Sequence, residues 1–227
     1  MNGIIIGGVV YPVKASNGQD VPVRRWNDGQ LPAVPEFKPG DGYNKKRTKP
    51  IDLFVFHWTG GENEPIVMAA TLRKRDLGVE FAISRGGTIY QYCDPAVVDT
   101  ADAGIVNSRS AGCEIISYGM PGLMGPPKLG ADRGVYIATT HGKAAKTARF
   151  YPVQIQAAIA LAEAFSKAVP AVQRRVPDAE LQTEMPRALL DQFKGFVGHY
   201  HITANKRDPG PELIDALRFA FAAKGVA

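Results

Sequence analysis

Four histidines occur in 227 residues, and two of them stand where chemistry is easily built. His57 ends the apolar run Ile51-Asp52-Leu53-Phe54-Val55-Phe56 and opens the loop Trp58-Thr59-Gly60-Gly61. A histidine where a buried strand passes into a glycine-rich loop is placed to face a cleft. His199 ends a second apolar run, Phe196-Val197-Gly198, and Asp208 follows in Lys206-Arg207-Asp208-Pro209-Gly210-Pro211. Two imidazoles and a carboxylate suit zinc and leave a fourth position for water. Such a site acidifies water enough to make a nucleophile near neutral pH. Spacing alone leaves other readings open: a lone strand-end histidine is often structural, and Asp208-Pro209 equally reads as a helix-cap signal.

These residues need a scaffold, and the chain between them alternates strand and helix signals. Ile51 to Phe56 is short, apolar and rich in β formers, which suits a buried central strand. Glu62-Asn63-Glu64-Pro65 reads as a helix start, with the helix over 66–75 and Gly78 ending it. Val79 to Ser84 and Thr88 to Tyr92 flank Arg85-Gly86-Gly87, the chemistry of a tight hairpin turn. Ala111 to Ser117 is a further strand, and the Gly- and Pro-rich stretch between Tyr118 and Arg133 a long loop. Pro152 opens the clearest helix, with Ile155, Ile159, Leu161, Ala162 and Phe165 at helical spacing. Residues 170–194 form a proline-broken, partly helical connection, and 212–223 a closing helix. This order implies an α/β fold with a single central mixed β-sheet flanked by helices.

Residues 1–50 read differently. Gly3 to Val10 is apolar, but no Lys or Arg precedes it and no small-residue cleavage site follows, so a β-hairpin turning at Gly7-Gly8 fits better than a signal peptide. Residues 14–50 are polar and punctuated by Gly and Pro, the composition of an extended arm. The division expected is therefore a hairpin and arm over 1–50 and a catalytic domain over 51–227. No stretch approaches the ~20 apolar residues of a membrane span, so a soluble protein made without an export signal is expected. The 27 Lys and Arg against 22 Asp and Glu give a net charge of +5. No basic run exceeds Lys45-Lys46-Arg47, which argues against a nucleic-acid partner. Two cysteines, Cys93 and Cys113, make no disulfide framework and read as small buried hydrophobes.

Taken together the motifs resemble the type-2 N-acetylmuramoyl-L-alanine amidases, a family that includes phage endolysins, bacterial muropeptide amidases and peptidoglycan recognition proteins. The resemblance runs in order through Phe54-Val55-Phe56-His57-Trp58-Thr59, Glu80-Phe81-Ala82-Ile83 with Gly86-Gly87-Thr88-Ile89-Tyr90-Gln91, and Ala111-Gly112-Cys113-Glu114-Ile115. It ends in Gly198-His199-Tyr200-His201-Ile202 with Lys206 to Pro211, and so covers roughly residues 50–220. It implies a peptidoglycan recognition protein-like fold and one Zn2+ per chain held by His57, His199 and Asp208. It places Glu114 at the catalytic acid position and Lys206 at that of the cationic helper. The implied substrate is peptidoglycan, cut between N-acetylmuramic acid and L-alanine, by a monomer that reaches the wall after phage-type release or serves cytoplasmic recycling.

Two departures stand out. Many relatives carry His-Tyr where this chain has Glu80-Phe81, which predicts altered substrate contacts rather than loss of metal. His201 lies two residues after His199; in a strand both would point the same way, making His201 a rival ligand or a partner that orients one. The alignment of Gly198-His199 with Ile202 favours His199. Thr139-Thr140-His141-Gly142-Lys143 resembles an insertion of phage-type members, read either as a hairpin lining the substrate groove or as a surface turn. A binding module without catalysis, or a zinc hydrolase of another wall amide, are the competing functions.

Overall fold

The computed structural model describes residues 2–120 and 134–223; residues 121–133, within the stretch expected to be a long loop, lie outside them. The chain order is β1 (Ile4–Ile6), β2 (Val9–Tyr11), β3 (Val23–Arg25), β4 (Lys45–Lys46), β5 (Leu53–Trp58), α1 (Pro65–Arg73), β6 (Phe81–Ile83), β7 (Ile89–Gln91), β8 (Val98–Asp99), β9 (Ser110–Ile115), β10 (Val135–Thr140), β11 (Lys143–Ala148), α2 (Pro152–Ala168), α3 (Arg187–Gln192), β12 (Gly195–Gly198) and α4 (Pro211–Ala223). Short 3₁₀ turns precede β9 and follow β12. One mixed sheet has the order β12-β5-β9-β6-β7-β3. Strands β12, β5, β9 and β6 are parallel, β7 returns antiparallel to β6, and β3 runs parallel to β7.

The two-residue period of a strand decides what each face holds. Phe54 and Phe56 of β5 join Phe81, Ile83, Ile115 and Phe196 in a core closed by Leu161 and Phe165 of α2 and Leu213 and Leu217 of α4. Leu53, Val55 and Val197 point the other way, onto Leu190 and Phe193. On that same second face Met68, Ala69 and Leu72 of α1 cover Ala82. The expected single mixed sheet with helices on its flanks is what forms. Alternation puts His57 on the Leu53–Val55 face, and the β5–β9 register sets Glu114 beside it.

The amino-terminal hairpin turns at Gly7-Gly8, both at positive φ (62° and 76°), which glycine adopts without steric cost. Asp94 caps that turn by accepting both glycine N–H groups at 2.9 Å. The segment read from composition as an extended arm packs closely against the sheet. β3 becomes an edge strand of the main sheet, Val13 and Val21 enter the first core, and Val34 and Phe37 the second. Its apolar residues are spaced too far apart to show a period; Val21, Val34 and Phe37 reach the core singly, while Leu31 and Tyr43 stay exposed. Cys93 and Cys113 are buried and unpaired.

Phe54 is fully buried, and its ring meets those of Phe56, Phe81, Phe165 and Phe196. Phe54→Ala should therefore cost about 3–5 kcal/mol, read from the shift in denaturant midpoint. A loss below about 0.5 kcal/mol, the size of an ordinary surface change, would place the core elsewhere.

Candidate metal centre

Three side chains from three segments converge at the carboxyl edge of the parallel strands, where open α/β sheets offer a crevice. His57 stands near the end of β5, and His199 begins the 3₁₀ turn that follows β12, the strand beside β5. Asp208 is drawn in by its own carbonyl, which accepts the Tyr200 N–H at 3.1 Å. His57 Nδ1 lies 3.0 Å from His199 Nδ1, and both nitrogens lie 3.2 Å from Asp208 Oδ2. All three residues are buried, and among the described residues they form a group whose donor atoms fall within 4.8 Å of one another.

Two neutral imidazole lone pairs would repel at this separation, so the arrangement calls for a proton or a cation between them. The donor set fits zinc: two nitrogens, one carboxylate oxygen, and spacings close to the ~3.3 Å edge of a tetrahedron with bonds of about 2.0–2.1 Å. Without a cation the charges settle unevenly. Burial lowers the His57 pKa, but the carboxylates of Asp102, Asp208 and Glu114 outweigh it and lift the ring to about 10. His199 is held below its usual range, first by burial. Burial raises Asp208, yet its contacts with both imidazoles overcome this and keep it ionised well below the usual carboxylate range.

Glu114 and the exposed Lys206 line the same 190 Å³ cleft as the three converging residues, with Trp58 in its wall. Glu114 Oε2 is sealed from solvent with no hydrogen-bond partner among the described residues. Burial, opposed by His57 and assisted by Asp208 and Asp102, raises its pKa to about 7. A carboxyl poised there can both accept and return a proton at neutral pH.

The other two histidines serve the scaffold. His201 is turned away from the cluster: its Nδ1 accepts the Gly198 N–H at 3.0 Å and its Nε2 meets the Leu181 carbonyl at 3.1 Å. The chain leaves the strand at Gly198, and a 3₁₀ turn of three residues per turn sends His199 and His201 in different directions. His141 sits at positive φ at the tip of the β10–β11 hairpin. Its Nε2 lies 2.8 Å from the Lys206 carbonyl and its Nδ1 3.0 Å from Thr183 Oγ1, so the hairpin braces the loop that carries Lys206 and Asp208.

The expectation that Glu80 alters substrate contacts is corrected. Glu80 is fully buried, pairs with Arg47 at 3.2 Å and accepts the Gly112 N–H at 2.7 Å, so no substrate reaches it. Asp102, which sequence reasoning passed over, lines the cleft with its Oδ2 3.3 Å from His57 Nε2.

The model of the N-acetylmuramoyl-L-alanine amidase family Amidase_2 matches residues 47–211, well over half of the chain, and the chain belongs to that family. No curated protein matches it by sequence. Similar solved structures include the endolysin amidase LysCS of Clostridium intestinale, at 16% identity over 80% of this chain and 89% of that one, with a TM-score of 0.44. A selenomethionine derivative of AmpD matches at 17% identity over 85% and 98%, with a TM-score of 0.49. The Drosophila peptidoglycan recognition protein SD matches at 19% identity over 86% and 92%, with a TM-score of 0.48.

His201 gives this region a measurable acid sensitivity. Burial lowers its pKa from 6.5 to about 4, so the unfolded chain takes up a proton that the folded chain refuses. Its presence costs nothing above pH 6.5 and removes stability as the pH falls toward 4, by up to about 3 kcal/mol. Glu80 and Glu114, raised to about 7, act in the opposite sense in the same window, so the difference between proteins carries the test: metal-free His201→Gln should gain stability relative to wild type as the pH falls from 6.5 toward 4. An unchanged slope in the variant would mean that His201 titrates normally in the folded chain.

Proposed function

We propose that this chain is a zinc-dependent N-acetylmuramoyl-L-alanine amidase that hydrolyses the amide between the lactyl group of N-acetylmuramic acid and the L-alanine of the peptidoglycan stem. The observation that carries this reading is one cleft, in a member of this family, holding His57, His199 and Asp208 within ligand distance together with Glu114 and Lys206. His57 and His199 through Nδ1, and Asp208 through Oδ2, would hold one zinc per chain. The ion, when bound, supplies Lewis acidity toward water and toward the substrate carbonyl.

The chain's own groups account for the proton traffic. Water adds to the carbonyl carbon, and Glu114 takes the proton it gives up. As the C–N bond breaks, Glu114 returns a proton to the departing L-alanine nitrogen, leaving a muramic acid carboxylate and a free stem-peptide amine. The Lys206 ammonium balances the negative charge that gathers on the attacked oxygen. Trp58 lines the cleft beside these groups. The role is cell-wall lysis of the endolysin kind, by a monomer that reaches the wall after release from the cytoplasm where it is made. No helix among the described residues is long and apolar enough to cross a membrane.

Glu114→Gln should still bind one zinc per chain while kcat on a soluble muropeptide falls by roughly 10²–10⁴. Lys206→Ala should lose roughly 10²–10³ in kcat with zinc retained. Near-normal turnover by the Glu114 variant would refute the mechanism, and muropeptide binding by the wild type without turnover would leave only a peptidoglycan-binding module.

A further inference from the structure

One carboxylate beside the cleft has no part in the proton path. Asp102 lies between β8 and the 3₁₀ turn before β9, with a side chain only 6% exposed. Its Oδ2 sits 3.3 Å from His57 Nε2 as an ion-pair contact, and neither atom has a hydrogen-bond partner among the described residues. The opposite nitrogen of the ring, Nδ1, faces His199 and Asp208. The imidazole is thus held between a carboxylate on one side and the candidate metal position on the other. Lying on the Nε2 side, Asp102 falls outside the converging ligand group.

We propose that Asp102 is a positioning residue for His57: it receives the Nε2–H, fixing the tautomer whose Nδ1 lone pair faces the zinc and steadying the plane of the ring. This rests on the zinc reading above. A ligand histidine whose second nitrogen is free can present either tautomer and rotate, whereas a carboxylate partner selects one and makes the ring a better donor.

The surroundings are shaped for this contact. Gly112 in β9 makes the space: a Cβ there would stand 1.7 Å from Asp102 Oδ2. The Gly112 N–H is held by Glu80 Oε2 at 2.7 Å, and Glu80 Oε1 is held by Arg47 at 3.2 Å. Arg47 also donates to the carbonyls of Val98 at 3.1 Å and Ser110 at 2.7 Å. One buried guanidinium therefore ties the strand end before Asp102 to the start of β9, and its charge offsets Glu80 beside a second carboxylate. A buried Arg–Glu pair is weak evidence for stability by itself; here it fixes two backbone segments whose spacing sets the Asp102–His57 distance.

Zinc affinity measured by competition with a chromogenic chelator, with melting temperature as a check on folding, tests the role. Wild type should take one zinc. Asp102→Ala should bind it roughly 10–100-fold more weakly, and Asp102→Asn, which keeps an acceptor oxygen without the charge, should fall between. In the zinc-loaded wild type, ¹⁵N histidine shifts should show His57 metal-bound at Nδ1 and protonated at Nε2. Affinity of Asp102→Ala within about twofold of wild type, or His57 bound through Nε2, would overturn the proposal. Should alanine fail to fold, the near-isosteric asparagine and the wild-type spectrum decide it. Wild type that takes up no zinc would defeat the zinc reading itself, and this proposal with it.

Discussion

Side chains alternate along β5, and the molecule is organised around that alternation. Phe54 and Phe56 anchor the core beneath α2 and α4, while Leu53, Val55 and His57 face the other side. A one-residue slip would bury the imidazole among the phenylalanines and expose an aromatic ring in the cleft. The same strand is flanked in parallel register by β12, which delivers His199, and by β9, which sets Glu114 next to His57. The hydrophobic packing that makes the fold and the register that assembles the site are therefore one constraint.

Four carboxylates gather on that face, and their partners separate their chemistry. Asp208 touches both imidazoles and stays ionised. Glu114 has one oxygen sealed without a partner among the described residues and is raised to about 7. Glu80, though paired with Arg47, is also raised to about 7, first by burial and then by the nearby Asp102. Within the cleft, the environments that push Asp208 and Glu114 apart separate ligand from proton carrier, while Glu80 lies outside the cleft lining. Two of the carboxylates answer to a cation that the fold also places: Glu80 pairs with Arg47, which stitches backbone segments together, and Glu114 feels Lys206, on a loop braced by His141.

Strands β5, β6, β7 and β9, the central mixed sheet and the five cleft residues were legible because their signals are local: strand ends running into glycines, a proline opening each long helix, and motifs in a fixed order. What stayed hidden depends on distance in the chain. Asp102 sits in Thr100-Ala101-Asp102-Ala103, with no turn, cap or period to mark it, and its contact exists only because β9 passes close by. Its one trace was Gly112, since a glycine inside a buried strand often marks a close approach. The relation between His199 and His201 was misjudged in geometry because the strand stops one residue earlier than the pattern suggested. β3 was missed because a three-residue edge strand is too short to show alternation.

The central claim is that the three converging side chains hold a zinc ion which this chain uses to cut one particular amide. Digestion of purified peptidoglycan with and without a chelator, with the released fragments identified by mass spectrometry, tests it most directly. Free stem peptides beginning with L-alanine, lost on chelation and restored by zinc, are the predicted result. Intact glycan-peptide with no new ends, or cleavage indifferent to the chelator, would contradict it.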